Sequence, residues 1–248
     1  VMRTTSTRRL GAAAAALGAA LLVSLAFGAG AANASTTTST LTPDQVAALQ
    51  AKMDTYGVPA AQQDGLIAKI EAGQPLDADT GAAPVSTSTV TIGYENETVE
   101  RYADGSFAAT VTPDPSATSS SHLIQPLATD SITGCTRSTG AGVTVYSGCT
   151  VKRDTLQITL SFKVTYHVAA ATTQIESIGA QSTVDIQCAG GTCTLNTYKI
   201  TEKTATSNYK ATALLKVYAV GIAGSSSSYP YLQFNLSAGG ATSLTHNF

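Results

Sequence analysis

A mainly β fold is predicted by this sequence: an antiparallel β-sandwich of Ig-like proportions, preceded by a short αα-hairpin and a β meander. Three observations carry that prediction. Hydroxylic residues are abundant, with 38 Thr and 24 Ser in 248 residues, and Thr suits a pleated, half-exposed strand surface. From Leu156 to Val168 seven apolar residues alternate with six polar ones, the period of a strand buried on one face. Further alternating segments bring residues 135–248 to about seven strands, the proportions of an Ig-like sandwich. The buried Trp of antibody-type domains is missing, since the chain has no Trp.

Before that fold comes an address. Arg3, Arg8 and Arg9 form a positive n-region, Leu10–Ala31 an apolar, small-residue stretch, and Ala32-Asn33-Ala34 a small-x-small cleavage site. Residues 1–34 therefore read as a signal peptide, with the mature chain expected to start at Ser35. No later apolar run approaches the ~20 residues that a membrane helix needs, so no membrane span is expected after cleavage. The product is expected to be secreted and extracellular, either free or held at the cell surface by contacts. Charge narrows the classes further. Only 12% of residues are charged and the net charge is −2, or −5 without the three signal arginines. That balance excludes a strongly basic nucleic-acid binder, and the composition excludes collagen, coiled coil and a highly charged disordered chain.

Residues 35–85 hold a Ser/Thr leader and the helical hairpin. Thr42-Pro43-Asp44-Gln45 is a helix start: Thr42 caps, Pro43 fits the first turn, and Gln45 closes a capping box. Val46, Leu49, Met53 and Tyr56 then fall on one helical face, and Gly57 ends the helix. A second helix opens at Pro59, carries Leu66, Ile67 and Ile70, and stops at Gly73 before Pro75. A hairpin of about 30 residues is too small to be stable alone, so it is expected to dock. Residues 86–115 read as the meander, with Val90, Ile92 and Tyr94 alternating and Asp104-Gly105 as a hairpin turn between Val99–Tyr102 and Phe107–Val111. Thr112-Pro113-Asp114-Pro115 breaks the pattern, and residues 116–134 read as a polar linker and domain boundary.

The sandwich domain, residues 135–248, contains all four cysteines. An even count in an exported chain predicts two disulfides, and the spacing favours Cys135 with Cys149 and Cys188 with Cys193. A zinc site would need two close Cys knuckles, and only Cys188 and Cys193 approach that spacing. After the Leu156–Val168 strand come Val184–Ile186, Leu195–Thr201, Tyr209–Val220, Leu232–Leu236 and Leu244–Phe248.

The order of these features carries a resemblance. Leu41-Thr42-Pro43-Asp44-Gln45, Tyr56-Gly57-Val58-Pro59-Ala60 and Ile67–Gln74 lead to Ala83-Pro84-Val85-Ser86-Thr87 and Arg101-Tyr102-Ala103-Asp104-Gly105-Ser106. A Gly134-Cys135 to Gly148-Cys149 segment then opens the β domain. The mature chain resembles a group of uncharacterised secreted actinobacterial proteins with an N-terminal helical hairpin and a C-terminal disulfide-containing β domain. That resemblance implies export and a two-part layout, and it transfers no catalytic or ligand residue.

Searching for chemistry gives no catalytic, cofactor or metal residues. There are three histidines, His122 in the linker, His167 on the polar side of the long strand, and His246 near the end. No Gly-x-Ser-x-Gly elbow, His-Glu-x-x-His helix or phosphate-cradling Gly loop accompanies them. In the β domain Asp130, Asp154, Glu176, Asp185 and Glu202 are scattered. Upstream, Asp77, Asp79, Glu95, Glu97 and Glu100 read as solvated turn acids, with no EF-hand ligand series. What remains is a binding surface. Tyr146, Tyr198, Tyr209, Tyr218, Tyr229 and Tyr231 lie in the β domain, and exposed tyrosines stack on sugar rings or on a peptide. The candidate ligand residues are Tyr198, Tyr209, Tyr218, Tyr229 and Tyr231. The expected function is a secreted, non-enzymatic extracellular or cell-surface binding protein, with a cell-wall glycan or a protein as partner. The alternative is a secreted hydrolase acting on polysaccharide or peptide.

Overall fold

A computed structural model describes residues 41–117, 135–222 and 227–248. The expected signal peptide (1–34), the Ser/Thr leader through residue 40 and residues 118–134 of the expected linker, with His122 and Asp130, lie outside the described residues.

Helix α1 (Pro43–Thr55) opens with the expected capping box: the Thr42 hydroxyl accepts from Gln45 N, and the Gln45 side chain accepts from Thr42 N. Helix α2 is Ala60–Glu71, and a single turn, α3 (Asp77–Thr80), follows it. The meander is present as β1 (Ser86–Ile92), β2 (Glu95–Arg101) and β3 (Phe107–Pro113). Gly105, at φ +89°, occupies the tight turn between the last two.

Among the described residues ten strands follow residue 135, more than the expected seven or so: β4 (Thr136–Gly140), β5 (Val143–Thr155), β6 (Ile158–Ala169), β7 (Thr173–Ile178), β8 (Asp185–Cys188), β9 (Thr192–Glu202), β10 (Thr204–Ala205), β11 (Ala211–Val220), β12 (Tyr231–Leu236) and β13 (Thr242–His246). They form two antiparallel sheets of nine and four strands. The large sheet runs β1-β2-β3-β5-β6-β7-β10, with β4 on β5 and β8 on β6; the small one runs β13-β12-β11-β9. Strand β3 pairs with β5 through Ala108–Thr155 to Val111–Lys152, so the meander and the later strands share one sheet across the expected linker.

Alternation explains the sandwich core. On β6 the inward set Ile158, Leu160, Phe162, Val164 and Tyr166 is fully buried and meets Leu215, Val217, Leu232, Phe234 and Leu236 of the small sheet. Leu156, which continues the same alternation in sequence, belongs elsewhere. It lies in the β5–β6 connection and packs with the helices. The disulfides are Cys135–Cys149 and Cys188–Cys193. The first ties the start of β4 to β5 inside one sheet. The second joins β8 of the large sheet to β9 of the small one, where the chain first changes sheets.

The helical hairpin docks on the other face of the large sheet. Leu49, Met53, Tyr56, Leu66, Ile67 and Ile70 form a second core with Val99, Phe107, Ala109 and Leu156. The Tyr56 and Phe107 rings meet at 4.2 Å. Burial of this apolar face supplies the stability that two short helices lack alone. Along β2 and β3 the molecule is therefore layered, helices on sheet.

Candidate functional site

Two acids expected as solvated turn residues, Glu95 and Glu97, are instead buried, and Glu95 accepts from Thr150 N of β5. Glu95, Glu97 and Val99 share one face of β2, in register with Pro113, Val111 and Ala109, so the carboxylates follow Val99 under cover. Glu95 is 0% and Glu97 2% exposed. Asp154 projects on the same side from β5, where Lys52 Nζ donates to its Oδ1 (2.7 Å), to Thr155 O (3.0 Å) and to Thr159 Oγ1 (2.8 Å). Lys152 Nζ lies 3.1 Å from Asp154 Oδ2, and the Tyr56 hydroxyl donates to the same oxygen (3.3 Å). Burial works to raise Asp154, but the two lysines outweigh it and hold the carboxyl below its ordinary range. Glu97 goes the other way, raised mainly by desolvation and further by Asp154, against the pull of Lys152. Tyr56 is driven up by burial and by both acids. Lys52 of α1 and Tyr56 at its C-terminal end thus bond to Asp154 of β5, tying the helix to the sheet.

His167, expected to face solvent, is half-buried on the outer side of β6, with its Nδ1 bonded to Glu176 Oε1. His246 is desolvated beside Arg153, which pushes it down to about 4 and leaves the imidazole neutral at pH 7.

The five candidate tyrosines separate into three environments. Tyr198 belongs to the inter-sheet core: its ring meets Phe162 at 5.8 Å and its hydroxyl donates to Gly179 O (2.9 Å). Desolvation pushes that phenol up to about 12. Tyr209 is 71% exposed in the turn before β11, remote in sequence register from the rest. Tyr218, Tyr229 and Tyr231 come together. Tyr218 faces outward near the end of β11 and its ring lies 5.2 Å from Tyr229, which precedes β12. Tyr231 is the register partner of Lys216, so the two share the outer face, and Lys216 Nζ sits 4.9 Å from the Tyr229 ring centroid. Tyr218 is 38% and Tyr229 48% exposed. Tyr146, grouped with them in sequence, stacks on Tyr166 at 5.0 Å inside the sandwich.

Polar side chains extend this platform across the four-stranded sheet. Gln233 Nε2 donates to Asn235 Oδ1 (2.7 Å), and Asn235 Nδ2 donates to Thr245 Oγ1 (3.0 Å). Thr201 and Thr212 hydroxyls meet at 2.6 Å on the neighbouring strands. Hydroxyls and amides are thus held in rows by their own bonds, beside an exposed aromatic pair and a lysine. Such a surface offers donors, acceptors and π-faces together. The strand period was the sequence signal for its polar rows; the meeting of Tyr218 with Tyr229 goes with the isolated Ala219–Ser228 bridge, which the period does not specify. The chain matches no protein-family model, no curated protein and no solved structure.

Proposed function

We propose that this protein is a secreted, non-enzymatic surface-binding protein whose ligand is a cell-wall glycan, engaged by the outer face of the four-stranded sheet. The observation that carries this reading is the Tyr218–Tyr229 pair, 5.2 Å apart and exposed at the end of a hydroxyl- and amide-covered sheet. Sugar rings present apolar C–H faces and a rim of hydroxyls. The tyrosine rings suit the first, while Gln233, Thr245 and Lys216 suit the second. The two disulfides and the absence of any helix long and apolar enough to cross a membrane, among the described residues, fit that setting. Retention of the purified protein on insoluble glycans and on cell wall tests the reading. Saturable retention that competes with soluble wall fragments is expected. Turnover of the glycan, abolished by one acidic or His substitution, would replace this reading with a hydrolase.

A further inference from the structure

We propose that the cavity beneath residues 228–231 is a binding site for a primary ammonium group carried on a short alkyl chain. The site is separate from the tyrosine face. Tyr229 and Tyr231 are the outward tyrosines of this segment, whereas Ser228 and Pro230 line the cavity behind it.

The cavity measures about 160 Å³. Three oxygens of its lining side chains are buried with no partner within hydrogen-bonding distance: Oδ1 and Oδ2 of Asp79 and Oε1 of Gln157; the Thr155 hydroxyl, which pulls on Asp79, is directed at Ile158 O (3.3 Å). Gln157 is only 2% exposed. A buried acceptor without a donor is costly, and such groups mark an occupant. An alkylammonium has three N–H donors and no acceptor, the complement of unpartnered acceptor oxygens. Asn247 also lines the cavity but is already engaged, with its Nδ2 donating to Tyr229 O (3.2 Å) and its Oδ1 accepting from Tyr231 N (2.8 Å). Besides Ser228, the remaining wall is apolar, formed by Ile158, Ile222, Pro230 and Phe248, and suits methylene groups.

Charge favours a cation. The cavity shares Asp79, Asn247 and Phe248 with a larger cleft of about 470 Å³. In that cleft Arg153 lies 3.8 Å from Glu100 and donates through Nε to Phe248 O (2.6 Å), while His246 is neutral. Arg153 and Lys52 pull on Asp79 from a distance, but among the described residues no cation forms a direct ion pair with it. A divalent cation fits less well, because it seeks six or more oxygens. Among the described residues no three His, Cys, Asp or Glu side chains converge.

Titration with n-butylammonium chloride, against n-butanol and NaCl at matched ionic strength, tests the assignment by calorimetry and by NMR. Saturable binding in the millimolar range is expected for butylammonium and none for butanol. Asp79→Asn should weaken it at least tenfold and Gln157→Met severalfold. In the unsubstituted protein, NOEs should connect ligand methylenes to the Ile158 and Ile222 methyl groups, a readout independent of how the variants fold. Equal binding of butanol, unchanged affinity in Asp79→Asn, missing NOEs, or no saturation by about 100 mM amine would each overturn the assignment and leave water as the occupant.

Discussion

Asp79 offers the sharpest quantitative prediction. Burial pushes its carboxyl from the ordinary 3.8 up to about 6, against the opposing pull of the Thr155 hydroxyl and the Arg153 guanidinium. A carboxyl raised in the folded state binds more protons there than in the unfolded chain. Between pH 4 and 6 its ionisation therefore removes stability as pH rises, and above pH 6 the whole penalty is present. A shift of about 2 units corresponds to about 3 kcal/mol. Asp79→Asn keeps the shape and cannot ionise. Its absolute stability also reflects the new amide, so the informative quantity is how the difference between variant and parent changes with pH. Relative to the parent, Asp79→Asn should gain about 3 kcal/mol on going from pH 3.5 to pH 8. Urea unfolding followed by tyrosine fluorescence measures both proteins at each pH, and shared titrations cancel in the comparison. A change below about 1 kcal/mol, or one of opposite sign, would refute the burial argument for this carboxylate.

Other expectations follow from the same packing. Lys52→Met removes the ammonium that bonds Asp154, Thr155 O and Thr159, while Lys152 remains at 3.1 Å; it should cost about 2–3 kcal/mol in urea unfolding at pH 7. Because Asp154 is depressed in the fold, that loss should fade as pH falls below about 4, where the carboxylate is protonated in the unfolded chain and then in the folded one. Phe107→Ala empties a fully buried site under Tyr56 and should cost about 3–5 kcal/mol; a loss under 1 would show that the helices do not depend on this contact. Replacing both cysteines of a pair by Ser should cost about 3 kcal/mol for Cys135–Cys149 and about 2 for Cys188–Cys193, following their separations of 14 and 5 residues. A reversed order in thermal unfolding would contradict the loop-closure argument.

Local rules made much of this fold legible. The Thr42–Gln45 capping box, the Leu49, Met53 and Tyr56 face, the Asp104-Gly105 turn and the β6 alternation all depend on residues a few positions apart. Strand β5 escaped the same reading because a bulge shifts its phase: Tyr146 and Cys149 both turn inward, with Gly148 at φ +68° between them. The buried acids escaped for a different reason. Glu95 and Glu97 are in phase with Val99, so their side of the strand was readable, but Lys52 and Asp154 that share that side are distant in sequence. Asp79 looked like a turn acid because Asp77-Ala78-Asp79 follows Pro75; the residues that share its cavity, Gln157, Ser228, Pro230, Asn247 and Phe248, are distant in sequence. Among the tyrosines, the strand period set Tyr218 and Tyr209 out of phase but did not say which faces out; the structure turns Tyr218 outward. Tyr198 sits past a bulge in the β9–β11 pairing, and its inward turn against Phe162 followed only from the sheet register.

The most direct test of the binding face is a saturation isotherm on purified cell wall, run with the parent protein, Tyr218→Ala/Tyr229→Ala and Tyr209→Ala. Unfolding midpoints should be unchanged, since these rings lie on the surface. Loss of two stacking rings should weaken retention about tenfold or more, with Tyr209→Ala indistinguishable from the parent. Equal retention of all three proteins would contradict the assignment of the four-stranded sheet as the ligand face.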